Sequence, residues 1–132
     1  MIAIVDTHVL LWWFERAARL SRAQSRVLAR ADAKHPLGVA DITLWEIAML
    51  VELGRIRLAL SIDEWLARAT APPLVQVCAI TPAIAREMIE VRATRTWDPA
   101  DRIVVATART LGVPLVTSDA RIVEAGVVDV VE

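Results

Sequence analysis

The sequence is short of several residue types that small proteins use as cross-links, anchors or phosphate-binding loops. It has one cysteine, Cys78, so no intrachain disulfide can form, and we expect that side chain in the core. None of its four glycines belongs to a glycine-rich phosphate loop, which argues against nucleoside triphosphate hydrolysis. The apolar runs are far shorter than the roughly 20 residues of a membrane span. No basic segment precedes the first apolar run, so we expect no signal peptide and predict a cytoplasmic protein without a membrane partner.

The charges almost cancel, with a formal net charge of −1. The molecule as a whole is therefore not an electrostatic nucleic-acid binder. Hydrophobic residues make up 56% of the chain, which is enough to build the core of a single domain over residues 1–132 and leaves apolar surface for a partner to cover. Of the 15 basic residues only Lys34 is lysine. Arginine suits bidentate contacts with phosphate or carboxylate, although a composition bias is the alternative explanation.

Short apolar runs alternate with helical segments along the whole chain. Runs typical of strands span Ile2–Val5, Leu37–Ala40, Val75–Ile80, Leu115–Thr117 and Val127–Val131. Spacing and caps predict helices between them, among them one from Ser21 to about Ala33, one over Thr43–Leu53, and a nearly all-apolar central helix after Asp98. This alternation predicts an α/β fold, with a mainly parallel twisted sheet of about four or five short strands sandwiched by helices.

Four acidic residues fall where predicted strands end or helices begin. Asp6 and Asp119 each follow an apolar strand, Asp101 lies in the first turn of the central helix, and Glu46 lies in the first turn of the Thr43–Leu53 helix. In an open α/β sheet, ligands bind outside the carboxyl ends of the strands. We therefore expect these carboxylates to share one edge of the sheet.

Each acid also has a structural explanation, because Asp6 and Asp119 are placed to cap helices, Glu46 can close a capping box with Thr43, and Asp101 follows a similar pattern. Capping does not explain why two strand ends and the central helix all carry acids on what we expect to be the same edge. Clustered carboxylates repel unless a cation neutralises them, and oxygen ligands suit Mg²⁺ or Mn²⁺ rather than Zn²⁺. Such ions activate water and stabilise charge on a phosphate in transfer. The pattern therefore favours phosphodiester hydrolysis.

Four stretches of the chain carry a resemblance to a known family. They are Val5-Asp6-Thr7-His8-Val9-Leu10-Leu11-Trp12-Trp13, Thr43-Leu44-Trp45-Glu46-Ile47-Ala48, Asp98-Pro99-Ala100-Asp101-Arg102 and Leu115-Val116-Thr117-Ser118-Asp119. In this order they resemble the PIN-domain ribonucleases, and within that family the VapC-type toxins of type II toxin–antitoxin pairs. The resemblance runs from the first residues to Asp119. One departure is Ala40, where a small hydroxyl residue is expected.

The resemblance implies a PIN-like fold and endonucleolytic cleavage of RNA by metal-activated water. The catalytic quartet that holds Mg²⁺ or Mn²⁺ in the family corresponds to Asp6, Glu46, Asp101 and Asp119. Thr7 and Ser118 match hydroxyl positions beside the first and last acids, and Ser118 is expected to hydrogen-bond within the site. Family members are typically homodimers silenced by a VapB-type antitoxin, so we expect that partner and a larger toxin–antitoxin assembly.

Two further side chains are candidates for contacts with substrate. Arg102 follows the third acid and can pair with a site carboxylate or hold a phosphate. Trp97 precedes Asp98 at the expected mouth of the site, where it can meet RNA. We interpret Asp98 as an N-cap before Pro99 rather than as a metal ligand.

Other surfaces have two interpretations. The Leu44–Leu53 helix carries two apolar stripes, of which one faces the sheet and the other predicts a partner chain, while the adjacent Trp45 is expected in the core. Arg22, Arg26 and Arg30 share one face of the preceding helix. That face is either solvated or a contact for RNA phosphates or an acidic partner segment.

Two alternative functions remain open from the sequence. A haloacid-dehalogenase-type phosphatase also uses an Asp after its first strand, but it requires a second Asp two residues later, where this chain has His8, and a late lysine, whereas the chain has only Lys34. A non-catalytic module that binds RNA or antitoxin is the other alternative. A missing acid would have favoured that module, and all four acids are present.

Overall fold

Seven α-helices and five β-strands alternate along the chain. The computed structural model describes residues 1–132. In chain order the elements are β1 (Ile4–Val5), α1 (Thr7–Glu15), α2 (Arg22–Leu28), β2 (Leu37–Ala40), α3 (Asp41–Glu52), α4 (Ile62–Ala69), β3 (Val75–Cys78), α5 (Pro82–Glu90), α6 (Pro99–Leu111), β4 (Leu115–Val116), α7 (Ala120–Ala125) and β5 (Val130–Val131). Short 3₁₀ turns follow α1 and α5. No helix is both long and apolar enough to cross a bilayer.

The sheet is parallel throughout, with strand order β3-β2-β1-β4-β5. Its centre is β1, where Ile4 pairs with Gly38 on one side and Leu115 on the other. The chain therefore builds outward from β1 in one direction and then in the other. Such a reversal is where open α/β sheets bind ligands. Asp6 directly follows β1 at that point. The predicted α/β fold with a parallel sheet and flanking helices is confirmed.

Apolar side chains fill both faces of the sheet. The larger cluster includes Leu10, Ile47 and the fully buried Trp65, and the smaller one joins Ile4 to the central helix α6. A Cβ at Gly38 in β2 would collide with the ends of the Ile4 and Met1 side chains, which would have to shift. Full burial of a large apolar side chain stabilises the fold by about 1.5–3 kcal/mol. The two clusters thus fix the strands whose carboxyl ends carry the acids.

Several predicted boundaries are wrong. The helix that begins after Ser21 ends at Leu28 rather than near Ala33, because the Asp32 carboxylate accepts the N–H groups of Lys34 and His35 and closes a turn. Arg30 therefore does not continue the helical arginine face. Every strand except β2 is shorter than predicted. The observed bounds are Ile4–Val5, Val75–Cys78, Leu115–Val116 and Val130–Val131.

Helix α3 also differs from its prediction. It begins at Asp41, two residues early, so Glu46 lies in its second turn and Thr43 is a buried helix residue rather than a cap. The N-cap position is Ala40, which forms no side-chain cap. The capping-box explanation for Glu46 is therefore wrong. Trp45 is 53% exposed and does not lie in the core.

Candidate active site

A cavity of about 500 Å³ opens at the carboxyl edge of the sheet. Five carboxylates line it, from Asp6, Glu46, Asp98, Asp101 and Asp119. All four acids singled out in the sequence are thus brought together, and a fifth joins them. Thr7 and Ser118 also line this cavity, whereas Arg102 and Trp97 do not.

Asp6 connects β1 to α1 and uses both of its carboxylate oxygens. Oδ1 accepts the N–H of Val9 at 2.8 Å and caps α1, while Oδ2 accepts a hydrogen bond from the Thr117 hydroxyl. Burial raises the pKa of Asp6 from 3.8 to about 6, although the hydrogen bonds from Thr117 and Val9 oppose the rise. The nearby charge of Asp101 raises it further. The site therefore holds a carboxylate that a cation would stabilise.

Thr117 is a site residue that the sequence analysis missed. It is fully buried, and its Oγ1 donates to Asp6 while accepting the N–H of Asp119 at 3.1 Å. The expected hydrogen bond within the site had been placed one residue later, at Ser118, whose Oγ instead accepts a hydrogen bond from Gln24 Nε2 at 2.8 Å. A hydroxyl at the carboxyl end of a buried strand, next to an acid, was the available signal for Thr117.

Glu46 faces the same cavity from α3. Burial raises its pKa, the Thr7 hydroxyl opposes that rise, and the charges of Asp101 and Asp98 add to it. Thr7 is buried, with its Oγ1 3.4 Å from the Oγ1 of Thr43. The Thr7 hydroxyl, predicted beside Asp6, therefore lowers the pKa of Glu46 instead.

Arg121 bridges the last two acids of the quartet. Its guanidinium donates to Asp101 and lies 3.5 Å from an Asp119 carboxylate oxygen. Burial raises the pKa of Asp101, and Arg121 opposes the rise. Asp119 also caps α7 by accepting the backbone N–H of Arg121 at 2.9 Å. One positive charge thus serves two acids, and the other three carboxylates of the cavity have no arginine partner.

The geometry can be compared with known proteins. The family model described as "PIN domain" matches residues 3–128. The chain belongs to the PIN-domain family. Ribonuclease VapC22 of Mycobacterium tuberculosis (strain ATCC 25618 / H37Rv) is 38% identical over 119 residues, which cover 90% of this chain and 88% of that protein. The predicted resemblance to the VapC-type branch of the family is therefore confirmed.

Solved structures agree on the fold of this PIN domain. VapBC2 of Rickettsia felis, bound to a promoter DNA fragment, matches with a TM-score of 0.71 and 12% identity over 98% of this chain and 97% of that chain. FitAcB of Neisseria gonorrhoeae matches with a TM-score of 0.68 and 18% identity over 100% and 97% of the two chains. A toxin–antitoxin complex of Klebsiella pneumoniae has a TM-score of 0.58 and 20% identity over 89% and 86%. At these identities the likeness shows the PIN fold alone.

Asp98 stands at the N-cap position of the PIN domain's α6, but its carboxylate makes no capping hydrogen bond. It lines the cavity instead, and its charge raises the pKa values of Glu46 and Asp101. Asp98 therefore occupies the predicted N-cap position, but the prediction that its side chain caps the helix is wrong.

Arg102 and Trp97 do not lie where the sequence analysis expected. The Arg102 guanidinium turns toward α5 and donates to the Met88 carbonyl at 3.2 Å, so it pairs with no site acid. Trp97 is half-buried and packs on the smaller apolar cluster. Its ring is covered by the guanidinium of Arg121, at 4.6 Å, and therefore supports the arginine that bridges the acids.

The donor set can be tested for its fit to a metal ion. No three of the acids converge closely enough, as they stand, to ligate one ion together. The donors are nevertheless carboxylate oxygens. Burial raises the pKa values of three of these carboxyl groups, those of Asp6, Glu46 and Asp101. Mg²⁺ and Mn²⁺ prefer such oxygens, and Mg²⁺ needs only one or two carboxylates because waters complete its shell. The chemistry of the cavity therefore fits these ions.

Proposed function

We propose that this PIN domain is a metal-dependent endoribonuclease, the toxin of a toxin–antitoxin pair, and that it hydrolyses RNA phosphodiester bonds in the acid cavity. The observation that carries the proposal is that five carboxylates, three with raised pKa values, line one cavity at the carboxyl edge of a PIN fold. The relative at 38% identity is named a ribonuclease. A phosphatase of the haloacid dehalogenase type finds no support, since Lys34 does not line the cavity.

In this proposal Asp6, Glu46, Asp101 and Asp119 hold Mg²⁺ or Mn²⁺. When bound, the ion activates water for attack on phosphorus and stabilises the charge of the phosphate in transfer. The protein's own residues keep the carboxylates in place. Thr117 fixes Asp6 and the backbone of Asp119 together.

Arg121 and Asp98 have supporting roles in the same proposal. Arg121 holds Asp101 and Asp119 when no ion is bound. When an ion takes its place at these acids, the planar guanidinium is free to bind a phosphate oxygen. Asp98 adds negative charge at the mouth of the cavity, which favours a cation there.

The decisive experiment is an RNA cleavage assay with antitoxin-free protein in Mg²⁺ or Mn²⁺, in EDTA, and with Asp6→Asn. Total RNA and isolated transfer RNA serve as substrates. Asp129→Asn is the matched control, because Asp129 is exposed and lies outside the acid cavity. We expect cleavage that is lost in EDTA and in Asp6→Asn but kept in Asp129→Asn. Equal cleavage by wild type and Asp6→Asn would refute the assignment, and binding of RNA or antitoxin without cleavage would favour a non-catalytic module.

The partners are proposed on separate grounds. An antitoxin partner is supported by the neighbouring structures described as VapBC2 and as a toxin–antitoxin complex. A homodimer is supported by apolar exposure on α3 and at its C-cap, where Trp45 is 53% and Leu53 is 55% exposed. Light scattering of the antitoxin-free protein tests this, and we expect a dimer that Trp45→Ser weakens. A wild-type monomer at micromolar concentration would contradict the dimer.

A further inference from the structure

A second cavity, of about 400 Å³, adjoins the acid cavity. The two cavities share His8, Trp12 and Arg55 as lining residues, so they form one continuous cleft. Four arginines line the second cavity, and we refer to it as the arginine cleft: Arg16, Arg19, Arg55 and Arg57. The surface beside the acids is therefore basic, although the molecule as a whole has a net charge of −1.

The four guanidinium groups have no carboxylate partner among the ion pairs of the protein. The one acid that lines the arginine cleft is Glu15. Its Oε1 already accepts the N–H of Ala59 at 3.0 Å and the indole N–H of Trp65 at 2.8 Å. Positive charges grouped around one cavity raise the local electrostatic potential and attract anions. The arginine cleft is thus a surface prepared for a polyanion.

Trp12 stands at the boundary between the two cavities. The guanidinium carbon of Arg19 lies 4.8 Å from the centre of its ring, and the ring of His8 lies 6.1 Å away. The Trp12 side chain is half-buried and lines both cavities. An aromatic ring between a catalytic centre and a basic groove is the arrangement with which proteins stack bases while they track a nucleic-acid backbone.

We propose that the arginine cleft binds the RNA strand next to the scissile phosphate, with the arginines on neighbouring phosphates and Trp12 against a base. The inference rests on the proposed function, because it extends the same site. A strand whose phosphodiester lies at the acids must continue across the adjoining surface. A polymer that repeats its phosphates can meet a cation held by the acids and the unpaired arginines at once. An acidic segment of an antitoxin would satisfy the arginines alone.

Binding can be measured apart from cleavage. A fluorescently labelled single-stranded RNA of about 12 nucleotides is titrated in Mg²⁺ with proteins in the Asp6→Asn background, so that the RNA stays intact. This length falls within the roughly 4–16 nucleotides typical of such grooves. Fluorescence anisotropy gives Kd at several salt concentrations. For single strands, each phosphate contact contributes about 0.7 to the slope of log K against log salt. The Arg16→Gln/Arg57→Gln double variant should therefore lose about 1.4 from that slope and bind at least tenfold more weakly at low salt.

Two further variants separate the contributions. Trp12→Leu should weaken binding about tenfold and leave the salt slope unchanged, because stacking releases no counterions. Arg86→Gln is the matched control, since Arg86 is exposed on α5 and lines neither cavity. Its Kd and slope should equal those of the parent. Thermal melting of each variant checks that the fold is kept.

The outcomes distinguish this inference from the proposed function. If the double variant binds RNA with unchanged Kd and slope while the wild-type protein cleaves RNA, the arginine cleft is not the RNA path and the inference fails alone. Unchanged RNA affinity with lost antitoxin affinity would assign the cleft to the antitoxin and overturn the inference. If the wild-type protein cleaves no RNA in Mg²⁺ or Mn²⁺, the proposed function fails whatever the arginine variants do.

Discussion

Replacing Asp6 by Asn should stabilise the metal-free protein while it abolishes cleavage. The Asp6 carboxylate is held in a buried position where its charge is unfavourable, and its pKa of about 6 records that cost. Asn keeps an oxygen that can accept the N–H of Val9, so the cap on α1 survives. The hydroxyl of Thr117 can rotate to accept from the new amide. The substitution therefore removes the charge and little else.

The magnitude and its pH dependence follow from linkage. A carboxyl whose pKa rises from 3.8 to about 6 on folding loses about 3 kcal/mol of stability when fully ionised. Between these values the folded state binds more protons than the unfolded state, so wild-type stability falls as pH rises. Asp6→Asn does not share this fall. The two proteins should differ little at about pH 4 and by about 3 kcal/mol, or roughly 10 °C in Tm, above about pH 7.

Urea unfolding in EDTA, at pH values from about 4 to 8, measures the difference directly. Asp32→Asn is the control of opposite sign. Asp32 is exposed, and the backbone N–H of His35 lowers its pKa, so its contribution to stability is present at neutral pH and disappears in acid. Asp32→Asn should therefore be the less stable protein at neutral pH only. A pH-independent difference between Asp6→Asn and wild type, or a less stable Asp6→Asn at pH 8, would refute the reasoning.

Three further predictions concern residues that line or support the acid cavity. Thr117→Val should raise the pKa of Asp6 above its present value of about 6, because it removes a hydrogen bond to the ionised form. An NMR titration of the carboxyl carbon in EDTA measures this pKa, and an unchanged or lower value would contradict the prediction. Arg121→Gln should tighten Mn²⁺ binding about tenfold in calorimetry, since a competing positive charge is lost; Arg109→Gln, which breaks an ion pair outside the cavity, should not. Asp98→Asn should weaken Mn²⁺ binding severalfold, and an unchanged Kd would remove it from the site.

The sequence predicted the parallel sheet and its acidic edge because both depend on short-range patterns. Leu37–Ala40 has the bounds predicted for it, since an apolar run after a proline and before a helix leaves little choice. Helix α3 began early because the expected cap at Thr43 gave way to tertiary packing, which buried that side chain. Trp45 was placed in the core from its apolarity, yet its position on α3 turns it outward.

Side-chain partners within the site were harder to predict, because they depend on which residues meet across elements. Thr117 and Asp6 are 111 residues apart in the chain, and only the pairing of β1 with β4 brings them together. Arg102 and Arg121 are both arginines near site acids in sequence. Arg102 donates to the Met88 carbonyl, whereas Arg121 donates to Asp101. Sequence spacing alone does not predict which of the two arginines contacts a site acid.

The choice between a helix cap and a site residue is a false alternative for Asp6 and Asp119. A carboxylate has two oxygens, and in each residue one oxygen caps the following helix while the other is directed to a side chain of the site. The cap therefore fixes the orientation of the second oxygen at no additional cost in side-chain entropy, which is how a rigid site is preorganised. Asn at either position keeps the cap and removes the charge. Ala removes both, and should cost about a further 1 kcal/mol of stability relative to Asn, so the Asn and Ala variants together separate what each acid does for the fold from what it does for the site.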